Sequence, residues 1–317
     1  MSRPAQPLVV AVVGATATGK SDLGLDLAER LGGEIVNADA SQLYRGMDIG
    51  TAKVPLTQRR GIPHHQLDVI DVTDEASVAA YQAAARADIH AIQARGAHPV
   101  VVGGSGLYVR AALDVLDIPP TDPVVREQWE ERARELGVQR LFELLRERDP
   151  VAAAAIDPRN ARRIVRALEV IELTGRPFSA SMPSRELVQP AVLLGLRAPR
   201  DQLDERIEAR VARMWTDGLL VEVQRLEQRG LREGRTASRA LGYAQALAQL
   251  DGTMTESQAQ EETSRLTRRF ARRQESWFGA DPRVQWLDAG CETTPADMLE
   301  HAVALVRAAI RDNGSHG

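Results

Sequence analysis

Leu8-Val9-Val10-Ala11-Val12-Val13 is a wholly apolar run about as long as one strand, and Gly14 ends it. A strand without a polar side is buried on both faces, as in a parallel sheet sandwiched between helices. From Lys20 to Leu31 the period changes: Leu23, Leu27 and Leu31 recur every four residues, predicting a helix that stops at Gly32-Gly33. Glu34–Asp39 predicts a second strand with Asp39 at its carboxyl end, and Val78–Arg95 a second helix closed by Gly96. His98–Val102 predicts a third buried strand running into Gly103-Gly104-Ser105-Gly106. Strands and helices alternating in this way predict an α/β fold with a doubly wound parallel sheet.

The pattern breaks at Ile118-Pro119-Pro120-Thr121-Asp122-Pro123. Beyond it the chain reads as helical to Thr174, with Asp157-Pro158 as a cap and first-turn proline and Thr174-Gly175 as the stop. Val192–Leu196 predicts a strand returning to the sheet. Asp201 to about Ser276 reads as helical again, interrupted near Gly230–Gly234 and at Gly252. The expected organisation is an α/β core made of residues 1–113 and 191–317, ending in C-terminal helices, with a mostly helical insertion domain at 114–190.

A chain of 317 residues with 44% hydrophobic and 26% charged side chains is globular, which excludes disorder as its main state. The net charge of −4 does not mark a nucleic-acid binder, so local clusters must decide that question. A single cysteine, Cys291, excludes an intramolecular disulfide and a four-cysteine zinc site, and fits a reducing compartment. No apolar run reaches roughly 18 residues, so no transmembrane helix is expected. Arg3, Leu8–Val13 and Ala15-Thr16-Ala17 imitate a signal peptide, but cleavage there would destroy the loop described next, and the expected location is cytoplasmic. Of 40 basic side chains only Lys20 and Lys53 are lysine, which marks both as positions where an ammonium does what a guanidinium does not.

Gly14-Ala15-Thr16-Ala17-Thr18-Gly19-Lys20-Ser21 matches the eight-residue P-loop pattern between a predicted strand and a predicted helix. Glycines let successive backbone N–H groups turn inward around phosphate oxygens, aided by the positive end of the helix. Lys20 would bridge terminal phosphate oxygens and Ser21 would hold Mg²⁺. The core is thus expected to be a P-loop sheet. Yet the strand at Val100–Val102 ends in glycines instead of an acidic residue, so the second Mg²⁺-holding carboxylate of P-loop nucleotidases is missing there. Asp39 is the carboxylate at a strand end, placed to act as a general base on a nucleophile brought to bound phosphate. Its plainer role would be a helix cap or an ion pair.

Arg159, Arg162, Arg163 and Arg166 share one face of a helix, and Arg265, Arg268, Arg269, Arg272 and Arg273 form a second stripe with no acid between Thr263 and Gln274. One such stripe is usually a solvated face. Two uncompensated stripes in an acidic chain favour a polyanion, most simply RNA or DNA. His64-His65 lacks a third metal ligand and reads as structural, and Trp215 and Trp277 read as packing residues.

With these motifs together the chain resembles the tRNA dimethylallyltransferase (isopentenyl-diphosphate:tRNA isopentenyltransferase) family. The blocks carrying the resemblance are the P-loop, Asn37–Lys53, Gly61–His65, Val102–Tyr108, Arg163–Val170, Leu241-Gly242-Tyr243 and Thr267–Gln274. It departs from the pattern at Phe270, Gly279 and Ala244, where tyrosine, a basic residue and Lys or Arg are usual. With no zinc-finger extension at its carboxyl end it resembles the bacterial form. The resemblance implies a prenyltransferase of tRNA modification, a cytoplasmic monomer whose P-loop (Gly14, Ala15, Thr16, Ala17, Thr18, Gly19, Lys20, Ser21) holds dimethylallyl diphosphate in place of ATP. Mg²⁺, Lys20 and Ser21 would stabilise the departing diphosphate, with Arg210 as the arginine that meets it. Asp39 would take the proton of N6 on the adenosine next to the anticodon, a base flipped out of its stack. The implied contacts to the tRNA anticodon stem-loop are Asp39, Ala40, Ser41, Gln42, Ser105 and Arg126, then Arg162, Arg163, Ile164, Val165 and Arg166, then Arg272, Arg273 and Gln274.

Three other readings stay open on the residues. A prenyltransferase of free adenine nucleotides would share the P-loop and Asp39 without needing the insertion. A small-molecule kinase would use Asp39 on a substrate hydroxyl and the Arg159–Arg166 helix as a lid. An RNA-binding module leaves the P-loop unexplained.

Overall fold

Six strands form one all-parallel sheet in the computed structural model, which describes residues 6–181 and 185–314. They are β1 (Val9–Gly14), β2 (Gly33–Asn37), β3 (His64–His65), β4 (His98–Gly103), β5 (Ala191–Arg197) and β6 (Val284–Asp288), in the spatial order β3-β2-β4-β1-β5-β6. The apolar runs found in the sequence are the central strands: β1 is buried at every position, and β4 and β5 flank it. The first crossover runs from β1 to β2 and leaves the place between them to β4, so the connections reverse beside β1. Ligands bind outside the carboxyl ends of such a sheet at that reversal.

The chain forms two compact units, Asp114–Glu186 and the remainder. In the larger unit α1 (Lys20–Leu31) and α2 (Val78–Ala94) pack on the sheet, and α3 (Gly106–Leu113) follows β4. Leu23 and Leu27 of α1 share a core with Val10, Val12, Val100, Val102 and Leu194. In the insertion, α4 (Pro123–Leu136), α5 (Val138–Arg148), α6 (Pro150–Ala155) and α7 (Ala161–Thr174) surround Trp129, Leu141, Leu145, Ile164 and Leu168. The indole of Trp129 is fully buried, and its N–H donates to Glu172 at 2.8 Å. The larger unit resumes with α8 (Arg200–Thr216), α9 (Leu219–Glu227), α10 (Tyr243–Leu250), α11 (Glu256–Gly279) and α12 (Pro295–Gly314). No helix among the described residues is long and apolar enough to cross a membrane.

Three details differ from the sequence expectation. Asp157-Pro158 does not start α7; Asn160 caps it, its side chain accepting the Arg163 N–H at 3.2 Å, while Asp157 is engaged by Arg159. Strand β2 ends at Asn37, two residues before Asp39. Strands β3 and β6 and helix α12 go beyond the expected elements, because β3 is two residues long and β6 is an edge strand with exposed positions at Gln285 and Asp288.

Gly14 closes β1 with φ +136°, and a Cβ there would lie 2.5 Å from the Leu196 carbonyl oxygen of β5. Gly14→Ala therefore combines a disfavoured backbone with a main-chain clash, and is expected to destabilise the protein by about 2 kcal/mol or more. A thermal or urea unfolding comparison with the parent chain checks this.

Lys53 shows what the second surviving lysine does. Its buried ammonium donates to Asp48 Oδ1 at 2.7 Å, Asp68 Oδ1 at 2.6 Å and the Tyr44 carbonyl at 2.9 Å. Three acceptors around one small head suit an ammonium, whereas a planar fork of five donors does not fit.

Candidate active site

The carboxyl ends of β1, β2 and β4 open onto a cleft of about 670 Å³, counting its open mouth, lined by Thr16, Lys20, Ser21, Asn37, Asp39, Gln42, Thr51, His64, Gly104, Arg210 and Gln274 among others. The phosphate loop forms one wall. Ala17 stands in the left-handed region (φ 64°), and Gly19 (φ 88°) leads into α1 without any side chain capping the first amides of the helix. Those N–H groups and the helix dipole are left to receive an anion. The Thr18 hydroxyl donates to the Ala15 carbonyl at 2.8 Å and Lys20 Nζ to the same oxygen at 2.5 Å, so the loop is closed on itself.

Two cations face the cleft. Burial lowers the Lys20 ammonium to about 8, with the Asp39 carboxylate opposing that shift and the Arg210 guanidinium adding to it. Burial also lowers Arg210, and Asp39 again opposes. Arg210, on α8, donates to the Thr16 hydroxyl at 3.2 Å and to the Thr51 carbonyl at 3.3 Å. Lys20, Arg210 and Asp39 thus form one electrostatic group, although they come from three separate parts of the chain.

Asp39 caps a 3₁₀ turn over Ala40–Leu43, its Oδ1 accepting the Ser41 N–H at 2.9 Å, so the plain cap role is real. Its other carboxylate oxygen takes no hydrogen bond among the described residues and lines the cleft, which leaves it able to accept a proton. Asn37 holds the Asp39 peptide from both sides: its Oδ1 accepts the Asp39 N–H and its Nδ2 donates to the Asp39 carbonyl, each at 3.0 Å. The Tyr81 hydroxyl donates to the Asn37 carbonyl at 2.8 Å. Ser105 accepts the Ala40 N–H at 3.2 Å, and Gln42 donates to the Thr51 carbonyl at 3.1 Å. The loop carrying Thr51 is pinned from behind by Glu222 of α9, which accepts the Ile49 N–H at 2.8 Å and the Tyr243 hydroxyl at 2.6 Å. Sequence reading missed Asn37, Thr51 and Glu222 as parts of the site. Asn37 and Thr51 had a signal in the block Asn37–Lys53, as Tyr243 had in Leu241-Gly242-Tyr243, whereas Glu222 had none.

The arginine stripes need correction. Arg265 pairs with Glu262 at 2.7 Å and Arg268 with Glu208, an acid from α8 that a window along α11 cannot see. Arg159 pairs with Asp157 at 3.1 Å, and Arg166 and Arg126 both pair with the buried Glu169, at 2.9 and 2.7 Å. Exposed and without an ion pair among the described residues are Arg162 and Arg163 on α7 and Arg269, Arg272 and Arg273 on α11. Ile164 and Val165 bury their side chains in the insertion core, so these offer no contact to a partner. Gln274 is buried in the cleft wall, not displayed beside Arg273. Trp215 packs as expected, but Trp277 is 45% exposed. In the His pair, His64 Nδ1 bonds the Ile62 carbonyl at 2.8 Å while the residue lines the cleft, and His65 Nε2 bonds Glu34 at 2.7 Å.

Residues 42–281 match the IPP transferase family model. The chain belongs to the IPP transferase family. This IPP transferase is 60% identical to a protein of Kineococcus radiotolerans named tRNA dimethylallyltransferase, with 96% of this chain and 98% of the relative covered. Its fold is similar to the full-length tRNA isopentenylpyrophosphate transferase of Bacillus halodurans (TM-score 0.71, 37% identity, 98% of this chain and all of that one). It also superposes on a eukaryotic dimethylallyltransferase acting on tRNA, with a TM-score of 0.82 over 96% of this chain and 80% of that one. At 24% identity the latter likeness concerns the fold alone.

Proposed function

We propose that this IPP transferase moves the dimethylallyl group of dimethylallyl diphosphate to N6 of the adenosine next to the anticodon of tRNA, releasing diphosphate. The observation that carries the reading is the joint presence of Lys20, Ser21, Arg210 and a half-free Asp39 carboxylate in one cleft, in a chain so close to named tRNA dimethylallyltransferases. In the reaction the C1–O bond breaks with its electron pair going to the diphosphate, and the N6 lone pair forms the new N–C1 bond. Asp39 accepts the proton that N6 loses. Lys20 and Arg210 oppose the charge that gathers on the leaving oxygens, which is electrostatic stabilisation aimed at the transition state. An aromatic amine is a weak nucleophile, so alignment contributes more than basicity.

The residues fit a magnesium ion: the Ser21 hydroxyl lines the cleft, a hard oxygen donor beside the phosphate loop. Among the described residues no cluster of three or more His, Cys, Asp or Glu could hold a metal, so Ser21 would share the ion with the diphosphate. Mg²⁺, when bound, supplies Lewis-acid neutralisation of those oxygens.

A transfer assay with labelled dimethylallyl diphosphate and Mg²⁺, run side by side on an anticodon stem-loop RNA and on AMP, tests the reading. Label on the RNA alone is expected. Label on AMP would assign the enzyme to free nucleotides, and phosphate transfer from labelled ATP would return the kinase.

Arg272 and Arg273 are the natural partners for RNA phosphates on α11. Replacing both by alanine is expected to weaken stem-loop binding and to flatten log Kd against log salt by about 0.7–0.9 for each phosphate no longer neutralised. Dimethylallyl diphosphate affinity should stay put, as a salt titration of both ligands would show.

A further inference from the structure

Gln274 lies on α11 directly after two exposed arginines, yet it is only 5% exposed. Its Oε1 accepts the Thr16 N–H at 2.8 Å, and its Nε2 donates to the Gly104 carbonyl at 2.9 Å. One amide therefore ties the phosphate loop that follows β1 to the chain that leaves β4. These strands are paired from Val10–Val100 to Val13–Gly103, and Gln274 continues the link past the end of that ladder. The space is cut for it: a Cβ on Gly104 would lie 2.1 Å from Gln274 Nε2 and 3.2 Å from the Gly14 carbonyl. Thr16 is held on its other side by Arg210, whose guanidinium donates to the threonine hydroxyl.

The chemistry of the side chain matches the task. One acceptor and one donor are needed, with no net charge beside a loop built for phosphate. Glutamate would supply the acceptor but add a repelling charge, and lysine would supply donors only. A peptide whose N–H is fixed by a buried side chain cannot turn, so the loop amides after Thr16 keep one orientation.

We infer that Gln274 is a positioning residue for the diphosphate: it sets the Thr16 peptide and braces the phosphate loop against the end of β4, and it does not read RNA. The inference rests on the diphosphate reading of the cleft given above.

The test measures four quantities on the full chain: the Kd of inorganic diphosphate with Mg²⁺, the Kd of an anticodon stem-loop, and kcat and KM for dimethylallyl diphosphate. Gln274→Ala is expected to weaken diphosphate and raise its KM by about tenfold, the size of one hydrogen bond, with RNA affinity within about twofold. Gln274→Glu should weaken diphosphate further. Gly104→Ala pushes its Cβ into the Gln274 amide and should reproduce the alanine defect, and the double variant should cost less than the sum because the clashing partner is gone. Tenfold weaker RNA binding with diphosphate unchanged would overturn the inference in favour of an RNA contact. Unchanged values for both ligands, or an equal loss of both, would overturn it too. A parent protein that binds neither ligand would instead refute the reading of the cleft.

Discussion

Replacing Asp39 by alanine is expected to slow prenyl transfer by on the order of 10²–10⁴-fold, with dimethylallyl diphosphate affinity nearly unchanged at neutral pH. The size follows from the role: the free carboxylate oxygen is the acceptor for the N6 proton, and no second carboxylate lines the cleft among the described residues. Asp39→Asn separates this from the capping role. An asparagine side chain still accepts the Ser41 N–H and keeps the 3₁₀ turn, but takes no proton, so it should be as slow as alanine while folding like the parent. Single-turnover rates with both substrates saturating decide the matter, and a parental rate in Asp39→Asn would remove Asp39 as the base.

Lys20→Ala is expected to lower turnover by on the order of 10²–10³-fold, because a charge aimed at the leaving group acts most strongly in the transition state. Lys20→Arg should not restore the rate, since one compact ammonium bonded to the Ala15 carbonyl is not replaced by a planar fork of five donors. The pH dependence follows from the lowered ammonium. The charged form is the useful one, so kcat/KM should fall as pH rises through about 8, where Lys20 loses its proton. Asp39 holds that value up, so the falling limb should move to lower pH in Asp39→Asn. A pH profile of the parent and of Asp39→Asn checks the direction, and an unmoved limb would mean that another group titrates there.

The central strands, α1 and the phosphate loop were legible because their periodicity is local: a double-sided apolar run, a four-residue leucine repeat and a glycine-framed lysine. Edge strands were not, since β3 is two histidines and β6 is five residues whose alternation breaks at Trp286-Leu287. Gln274 could have been placed. It falls three residues after Ala271 and four before Phe278, both buried, so the helical period puts it on the inward stripe and its arginine neighbours outside. Ile164 and Val165 follow the same logic beside Leu168. The ion pairs of Arg268 and Lys53 lay beyond reach for the opposite reason. Glu208 and Asp68 are distant in sequence, and only the fold brings them to the cations.

The chain leaves and rejoins the sheet unit side by side. The Val188 N–H bonds the Leu113 carbonyl at 2.9 Å, and the Val115 N–H bonds the Glu186 carbonyl at 2.8 Å, so the outgoing and returning segments run as a paired stem. Everything between them can be lengthened, shortened or exchanged without altering the register of β4, β1 and β5, because the stem already fixes both ends. In this architecture the helical module is a cassette hung on a single stem, open to exchange while the sheet stays as it is.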